Sequence, residues 1–262
     1  METRKALTNF YSNYDEDGRL RSRYGMVEFL TTMRYIEKYL KPGMRILEIG
    51  AGTGRYSHAL AQKGYQVDAV ELVEHNIEIF KQKTMPGENV TVRQGNAMDL
   101  RTFASETYDI TLLLGPMYHL FTKADQLRAL AEAVRVTKKG GVIFAAYCGN
   151  EATMIQYCFG RGMIREERYR NLVDPVTFKA SSDPAELFQL YRKEEIDELM
   201  TNFNVERLHF VGSDLATNYM REQIENMEEE VYELYLKYHF SICERQDLVG
   251  ASHHFLDVSR KL

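Results

Sequence analysis

The sequence predicts a doubly wound α/β sheet, and three observations carry that prediction. Short apolar runs alternate with stretches of helical periodicity between residues 26 and 147. A glycine-rich turn separates the first apolar run from a helix, and the run over residues 108–114 is almost continuously apolar. Alternating strands and helices build parallel units with right-handed crossovers, and a strand without polar alternation has to be covered on both faces.

Each element follows from local pattern. Val27, Leu30, Met33, Ile36 and Leu40 recur at helical spacing over residues 26–40, and Lys41-Pro42-Gly43 stops that helix. Ile46-Leu47-Glu48-Ile49 reads as the first strand, Gly50-Ala51-Gly52-Thr53-Gly54 as a tight turn, and residues 56–63 as a helix ended by Gly64. Val67-Asp68-Ala69-Val70 is the second strand, followed by Glu71 and a helix through Ile77, Ile79 and Phe80 that Pro86-Gly87 ends. Residues 89–93 make a third strand that runs into the loop Gly95-Asn96-Ala97-Met98-Asp99-Leu100. Residues 108–114 make the fourth. An amphipathic helix over residues 124–137, closed by Lys138-Lys139-Gly140-Gly141, leads to the fifth strand at residues 142–147.

Beyond Cys148 the alternation stops. Residues 148–192 are too long and too aromatic for a plain connector, and they are expected to lie over the carboxyl ends of the strands as a substrate wall or cap; the other use is a homodimer surface. Residues 193–262 return to the sheet: a helix over 194–203, a strand over 205–211, a helical insertion at 213–250 and a last, antiparallel strand over 254–260. In the insertion Ile224, Met227, Val231, Leu234, Tyr235 and Tyr238 are expected to form the buried face of one long helix, with Glu228-Glu229-Glu230 in solvent. Residues 1–25, with Tyr11 and Tyr14 among charges, read as a lid, the alternative being a terminal helix that its aromatic side chains pin to the domain.

The 262 residues allow one α/β domain with insertions. A net charge of -5 without a basic stripe argues against nucleic acid. Three cysteines, Cys148, Cys158 and Cys243, without a C-x-x-C pair suggest neither a disulfide framework nor a zinc site. No stretch approaches the roughly 20 apolar residues of a membrane span, so a soluble, cytoplasmic protein without a membrane partner or a metal is expected.

The order Glu48-x-Gly50-x-Gly52-x-Gly54 narrows the ligand. A dinucleotide turn needs a third glycine where Arg55 stands. The observed pattern resembles the first motif of class I S-adenosylmethionine-dependent methyltransferases. Gly115-Pro116-Met117-Tyr118-His119-Leu120 resembles the Gly-Pro-Leu-Tyr-His-Leu stretch of a bacterial group of small-molecule methyltransferases within that class. The resemblance implies a Rossmann-like seven-stranded sheet, order 3-2-1-4-5-7-6 with strand 7 antiparallel, and S-adenosyl-L-methionine as cofactor, leaving S-adenosyl-L-homocysteine after transfer to a small-molecule N, O or C acceptor. It implies Glu48 near the methionine ammonium, Gly50, Ala51, Gly52 and Gly54 beneath the methionine and ribose, and Glu71 with Leu72 at the ribose. It further implies Asn96, Ala97 and Met98 at the adenine, Leu114 and Gly115 beside the methionine, and Tyr11 and Tyr14 closing over the sulfonium.

His119 and Tyr118 are the catalytic candidates, His119 because an imidazole can take a proton at neutral pH. Their other roles are to bond the loop backbone or wall the pocket. Asp99 is the alternative to Asn96, and either side chain can instead cap its turn. His254 and Arg245 are secondary pocket candidates from a Gly-x-Ser-x-His run at residues 250–254. A cofactor-binding protein without catalysis, an NAD-dependent oxidoreductase and a macromolecular methyltransferase stay open as rivals.

Overall fold

The computed structural model describes residues 7, 18, 22–182 and 188–262. Helix α1 (Arg23–Glu37) begins ahead of the apolar periodicity because Ser22 caps it, its hydroxyl accepting the Gly25 amide hydrogen at 3.1 Å. The predicted alternation follows: β1 (Arg45–Ile49), α2 (Arg55–Gln62), β2 (Gln66–Glu71), α3 (Glu74–Lys83), β3 (Val90–Gln94), β4 (Tyr108–Leu113), α4 (Lys123–Val136) and β5 (Thr137–Gly149). Beyond a run of short helical turns come β6 (Leu190–Tyr191), α5 (Lys193–Met200), β7 (Val205–Gly212), α6 (Arg221–Glu225), α7 (Glu229–Ile242) and β8 (His254–Lys261).

The sheet order is β3-β2-β1-β4-β5-β8-β7, with β8 antiparallel to both neighbours. That is the predicted order once the additional two-residue β6 is set aside. β5 outruns β4, whose pairing stops at Leu113 with Ala145, and β6 takes over the vacated edge by pairing with Cys148 and Gly149.

Successive residues of the central strands enter opposite layers of core, as a two-period strand requires. Leu47, Ile49, Leu113 and Ile143 pack with Ala129 and Leu130 of α4 and Ile196 and Leu199 of α5. Ile46, Ile110, Leu112 and Phe144 pack with Met33 and Ile36 of α1 and Leu60 of α2. Both faces of the sheet are covered, which is why residues 108–114 carry no polar alternation.

Two expectations change. The segment from Thr137 to Gly141 does not merely close α4; it already belongs to β5, where Thr137 pairs with Tyr108 and a Cβ on Gly141 would stand 2.8 Å from the Asp109 carbonyl oxygen. The insertion at 213–250 is also divided: Ile224 is buried in the short α6, whereas α7 buries Tyr232 and His239 and leaves Val231, Leu234 and Tyr238 about half exposed. The helical period is right but its phase is not. Burial follows the side that meets α1, where the Tyr232 hydroxyl donates to the Arg23 carbonyl at 2.8 Å.

At the far side of the sheet Arg207 of β7 forms a two-point pair with Asp257 of β8, Nε and an Nη each 2.8 Å from a different carboxylate oxygen. Asp257 is 1% exposed, and burial holds its carboxyl above the usual range against the pull of Arg207. Removing one partner of such a pair leaves a buried charge uncompensated. Arg207→Met is expected to lower the unfolding free energy by about 3–5 kcal/mol, read by urea unfolding. Arg207→Met with Asp257→Leu is expected to recover most of that loss.

Candidate functional site

The carboxyl ends of the parallel strands open onto one cavity of ≈ 550 Å³. Its lining follows the sheet order, from Gln94 on β3 through Glu71 on β2, the glycine turn after β1 and the loop after β4 to Ala146 on β5. Because β8 runs antiparallel, its first residue, His254, arrives at the same end.

The glycines of the turn are required for different reasons. A Cβ on Gly50 would stand 2.6 Å from Pro116 Cδ, and one on Gly54 would stand 2.4 Å from Phe80 Cδ2. Those two positions are closed by the protein's own packing, and Gly54 is absent from the cavity lining. At Gly54 the space a side chain would need is taken by Phe80. Gly52 differs: at φ +54° a Cβ there would meet nothing within 4 Å, and Gly52, Gly50 and Ala51 all line the cavity.

Glu71 ends β2 against that turn. Its Oε2 accepts the Gly52 amide hydrogen at 2.8 Å, and its Oε1 accepts from the Val73 amide at 2.9 Å and Asn76 Nδ2 at 3.3 Å. Burial nonetheless raises its pKa, outweighing those donors. Glu48, on β1, is 2% exposed and accepts from the Ser57 hydroxyl. Burial pushes its carboxyl up to about 8, against the opposing effect of Ser57. Both carboxylates line the cavity, as do Leu72, Leu114 and Gly115.

After β3, Asn96, Ala97 and Met98 line the cavity, but the Asn96 side chain also shapes its own turn, its Oδ1 accepting the Met98 amide hydrogen at 3.0 Å. Asp99 points elsewhere. It forms a two-point pair with Arg101, 2.7 Å at each oxygen, and is not among the lining residues, so it does not substitute for Asn96.

In the loop after β4, His119 is 9% exposed and Tyr118 stands beside it, ring centroids 4.9 Å apart, with Phe188 packed on both. The Tyr118 hydroxyl donates to the Leu114 carbonyl at 2.9 Å, which braces the loop, and Tyr118 lines the cavity. Tyr191 and Gln189 hold the loop from outside, bonding the carbonyls of Met117 and Tyr118. No described residue of the 148–192 insertion lines the cavity. β6 fastens the insertion's end beside β5, and the insertion's described residues Gln189 and Tyr191 back the loop. Tyr11 and Tyr14 lie outside the described residues.

The remaining wall was not apparent in the sequence. Glu28 and Thr32 come from α1, Arg55 and Tyr56 from the start of α2, and Ser213 from the end of β7. Arg55 lies over the Phe29 ring at 4.4 Å and reaches Met26 Sδ at 2.7 Å, joining α2 to α1. Glu28 and Thr32 carry the one usable signal: two polar residues one helical turn apart beside an apolar face.

Asp214 anchors the β8 side. Fully buried, its Oδ1 accepts from the Ser252 hydroxyl at 2.6 Å and the amides of His253 and His254, and its Oδ2 lies 2.6 Å from His254 Nδ1. Glu28 Oε2 approaches the same nitrogen at 3.4 Å. Of the two secondary candidates, His254 is therefore in the cavity wall. Arg245 is exposed and paired with Asp247 at 2.6 Å, away from it.

The family described as the methyltransferase domain matches residues 46–141. Its matched span runs from β1 into β5 and so includes the glycine turn, Glu71 and the His119 loop. The chain is 33% identical over 108 residues to a demethylmenaquinone methyltransferase of Staphylococcus aureus, covering 40% of this chain and 43% of the relative. It is 30% identical over 128 residues to a ubiquinone biosynthesis O-methyltransferase of Methylocella silvestris, 48% of each. The chain thus spans about half the length of the curated relatives it matches. A solved S-adenosylmethionine-dependent methyltransferase of Thermotoga maritima superposes with a TM-score of 0.59 at 19% identity, over 99% of this chain and 100% of that one. The sheet and its flanking helices share the Rossmann-like fold of that structure.

The ion pair at the cavity wall has a pH signature. Burial opposes a charge on His254, but Glu28 and Asp214 outweigh it and hold its pKa well above 6.5, while His254 draws that of Asp214 below the usual carboxylate range. A raised folded-state pKa gives stability that is complete below the unfolded value of about 6.5 and is lost as pH rises through the folded value. The stability difference between the wild type and His254→Gln is therefore expected to be greatest near pH 6 and to shrink in alkaline buffer, read by thermal unfolding across pH.

Proposed function

We propose that this protein is a methyltransferase that takes its methyl group from S-adenosylmethionine and delivers it to a small-molecule acceptor by in-line displacement. The observation that carries this reading is the coupling of Glu71 to Gly52: a buried carboxylate at the end of β2, bonded to the amide of a cavity-lining turn glycine at which a Cβ would meet no protein atom within 4 Å. Such a carboxylate suits a ribose, because it can accept from two neighbouring hydroxyls. A Cβ at Gly52 would fill the cradle in which the cofactor would sit.

The other lining residues fit the same ligand. Glu48 provides an anion for the methionine ammonium, and Asn96, Ala97 and Met98 provide a shelf for the adenine at the β3 end. Arg55 lines the cavity where a dinucleotide turn would need glycine, which supports this reading over an NAD-dependent one. When bound, S-adenosylmethionine supplies an electrophilic methyl group. The chain's own contribution is to hold that group facing the far end of the cavity and to exclude water, and positioning of this kind accounts for several kcal/mol of a barrier.

Calorimetric titration with S-adenosylmethionine, S-adenosylhomocysteine and NADH is expected to give saturable binding of the first two alone; binding of NADH alone, or of none, overturns the proposal. Gly52→Val is expected to abolish that binding, and Glu71→Ala to weaken it by roughly 10- to 100-fold, the worth of hydrogen bonds to a charged group. Wild-type affinity in both would sink the assignment of the site.

Glu48 gives a second, independent readout. With its carboxyl near 8, it is largely protonated in the free protein at pH 7, and an ammonium placed against it draws that proton off. Binding at pH 7 is expected to release up to roughly one proton, seen as an enthalpy that varies with the ionisation enthalpy of the buffer, and Glu48→Gln is expected to remove that variation.

A further inference from the structure

α7 has an inner side that the fold uses and an outer side that it leaves in solvent. The inner side meets α1: Tyr232 and His239 are buried, the Tyr232 hydroxyl donates to the Arg23 carbonyl at 2.8 Å, and Arg23 reaches Glu229 at 2.6 Å. On the outer side Val231, Leu234 and Tyr238 are 49%, 57% and 58% exposed. Apolar residues scattered singly over a surface need no explanation. These three are instead spaced by three and then four residues, which sets them in one row along the helix. Such a row is the seam by which one helix packs on another.

The charges beside the row are divided between its two ends. In the first half of α7 Glu228, Glu230 and Glu233 are exposed, and Glu229 is balanced by Arg23. In the second half Lys237 is exposed, and Arg34 of α1 lies over the Phe240 ring at 5.1 Å. Beyond the helix Glu244 is balanced by Lys38 and Arg245 by Asp247. Among the described residues Glu228, Glu230, Glu233 and Lys237 form no ion pair. The row is therefore apolar, with an acidic start and a basic end. Turned end for end, it is its own complement. With Val231 opposite Leu234 of a second copy, helical register brings Lys237 opposite Glu228 of that copy and near its Glu230. A parallel copy would set like charge against like, which disfavours it.

We infer that the outer side of α7 is a self-association surface, at which two copies of this chain pair their α7 helices antiparallel about a twofold axis. A twofold contact uses the same patch on both subunits, so the patch has to be self-complementary, and the row with its divided charge meets that demand. Tyr238 adds a large side chain of the kind enriched in the core of such contacts. The inference does not rest on the cofactor reading, yet it touches the site: α7 lies on α1, which supplies Glu28 and Thr32 to the cavity wall, so the pairing buttresses that wall from behind.

Sedimentation velocity of the purified chain across micromolar concentrations tests the pairing. The wild type is expected to be a dimer that yields monomer on dilution. Leu234→Glu, which puts a charge into the seam, is expected to weaken the dimer by ~100-fold or more. Lys237→Glu, and separately Glu228→Lys combined with Glu230→Lys, are each expected to weaken it by ~10-fold or more through like charges across the axis. Mixing these two charge-reversed proteins is expected to restore association, because each then meets the opposite charge on the other; that recovery also shows both to be folded. A wild type that stays monomeric leaves the row to some other partner and overturns the inference. A dimer indifferent to Leu234→Glu, or a mixture that associates no better than its components, overturns it as well.

Discussion

The cavity depends on a contact between two pieces of backbone. The turn after β1 and the loop after β4 meet at their glycines: Gly50 faces the Pro116 ring, and a Cβ on Gly115 would lie 3.2 Å from the Gly50 carbonyl oxygen. A methyl group on either glycine would press the loops apart. Because β1 and β4 are adjacent and in register from Ile46 with Ile110 to Ile49 with Leu113, their ends arrive at the same height, and the contact fixes the floor on which Gly52, Glu48 and His119 are arranged. Glycine is required here for packing at Gly50 and for open space at Gly52, so one short motif joins a structural demand to a chemical one.

The polar groups around that floor show how burial is offset. Glu71 sits among three donors, Glu48 keeps a single hydroxyl partner, and Asp214 gathers five donors. The environments differ in the amount of positive charge or dipole directed at the carboxylate, and the carboxyls respond accordingly: Glu48 and Glu71 upward, Asp214 downward. A carboxylate already satisfied by its shell is a structural brace, whereas one left short of donors is ready for a ligand that brings its own.

What the sequence made legible was local. The strands that build the sheet, the glycine turn and the position of Glu71 follow from spacing within a few tens of residues, because apolar runs and glycine positions report strand burial and turn geometry directly. Gly54 shows the limit: spacing says that glycine is needed but not whether the neighbour is a ligand or Phe80. β6 is two residues long and has no period to detect. The phase of α7 escapes the pattern because Val231, Leu234 and Tyr238 are apolar yet exposed, and hydrophobicity alone does not reveal which side of a surface helix meets α1. Glu28, Ser213, Asp214 and His254 come together only through tertiary packing of the first helix against the last strands, so no local pattern announces them.

The reversed direction of β8 has a consequence in time. The parallel strands bring their carboxyl ends to the cavity, and every residue proposed to contact the cofactor within the described chain lies between Glu48 and Gly115. His254 and the loop that orients it are more than a hundred residues further on, and an antiparallel final strand is what returns them to the same rim. During ribosomal synthesis, from the amino terminus onward, the nucleoside half is therefore complete in sequence long before the opposite half exists. The two ends of the cavity are made in succession, and the second cannot close until residue 254 has emerged.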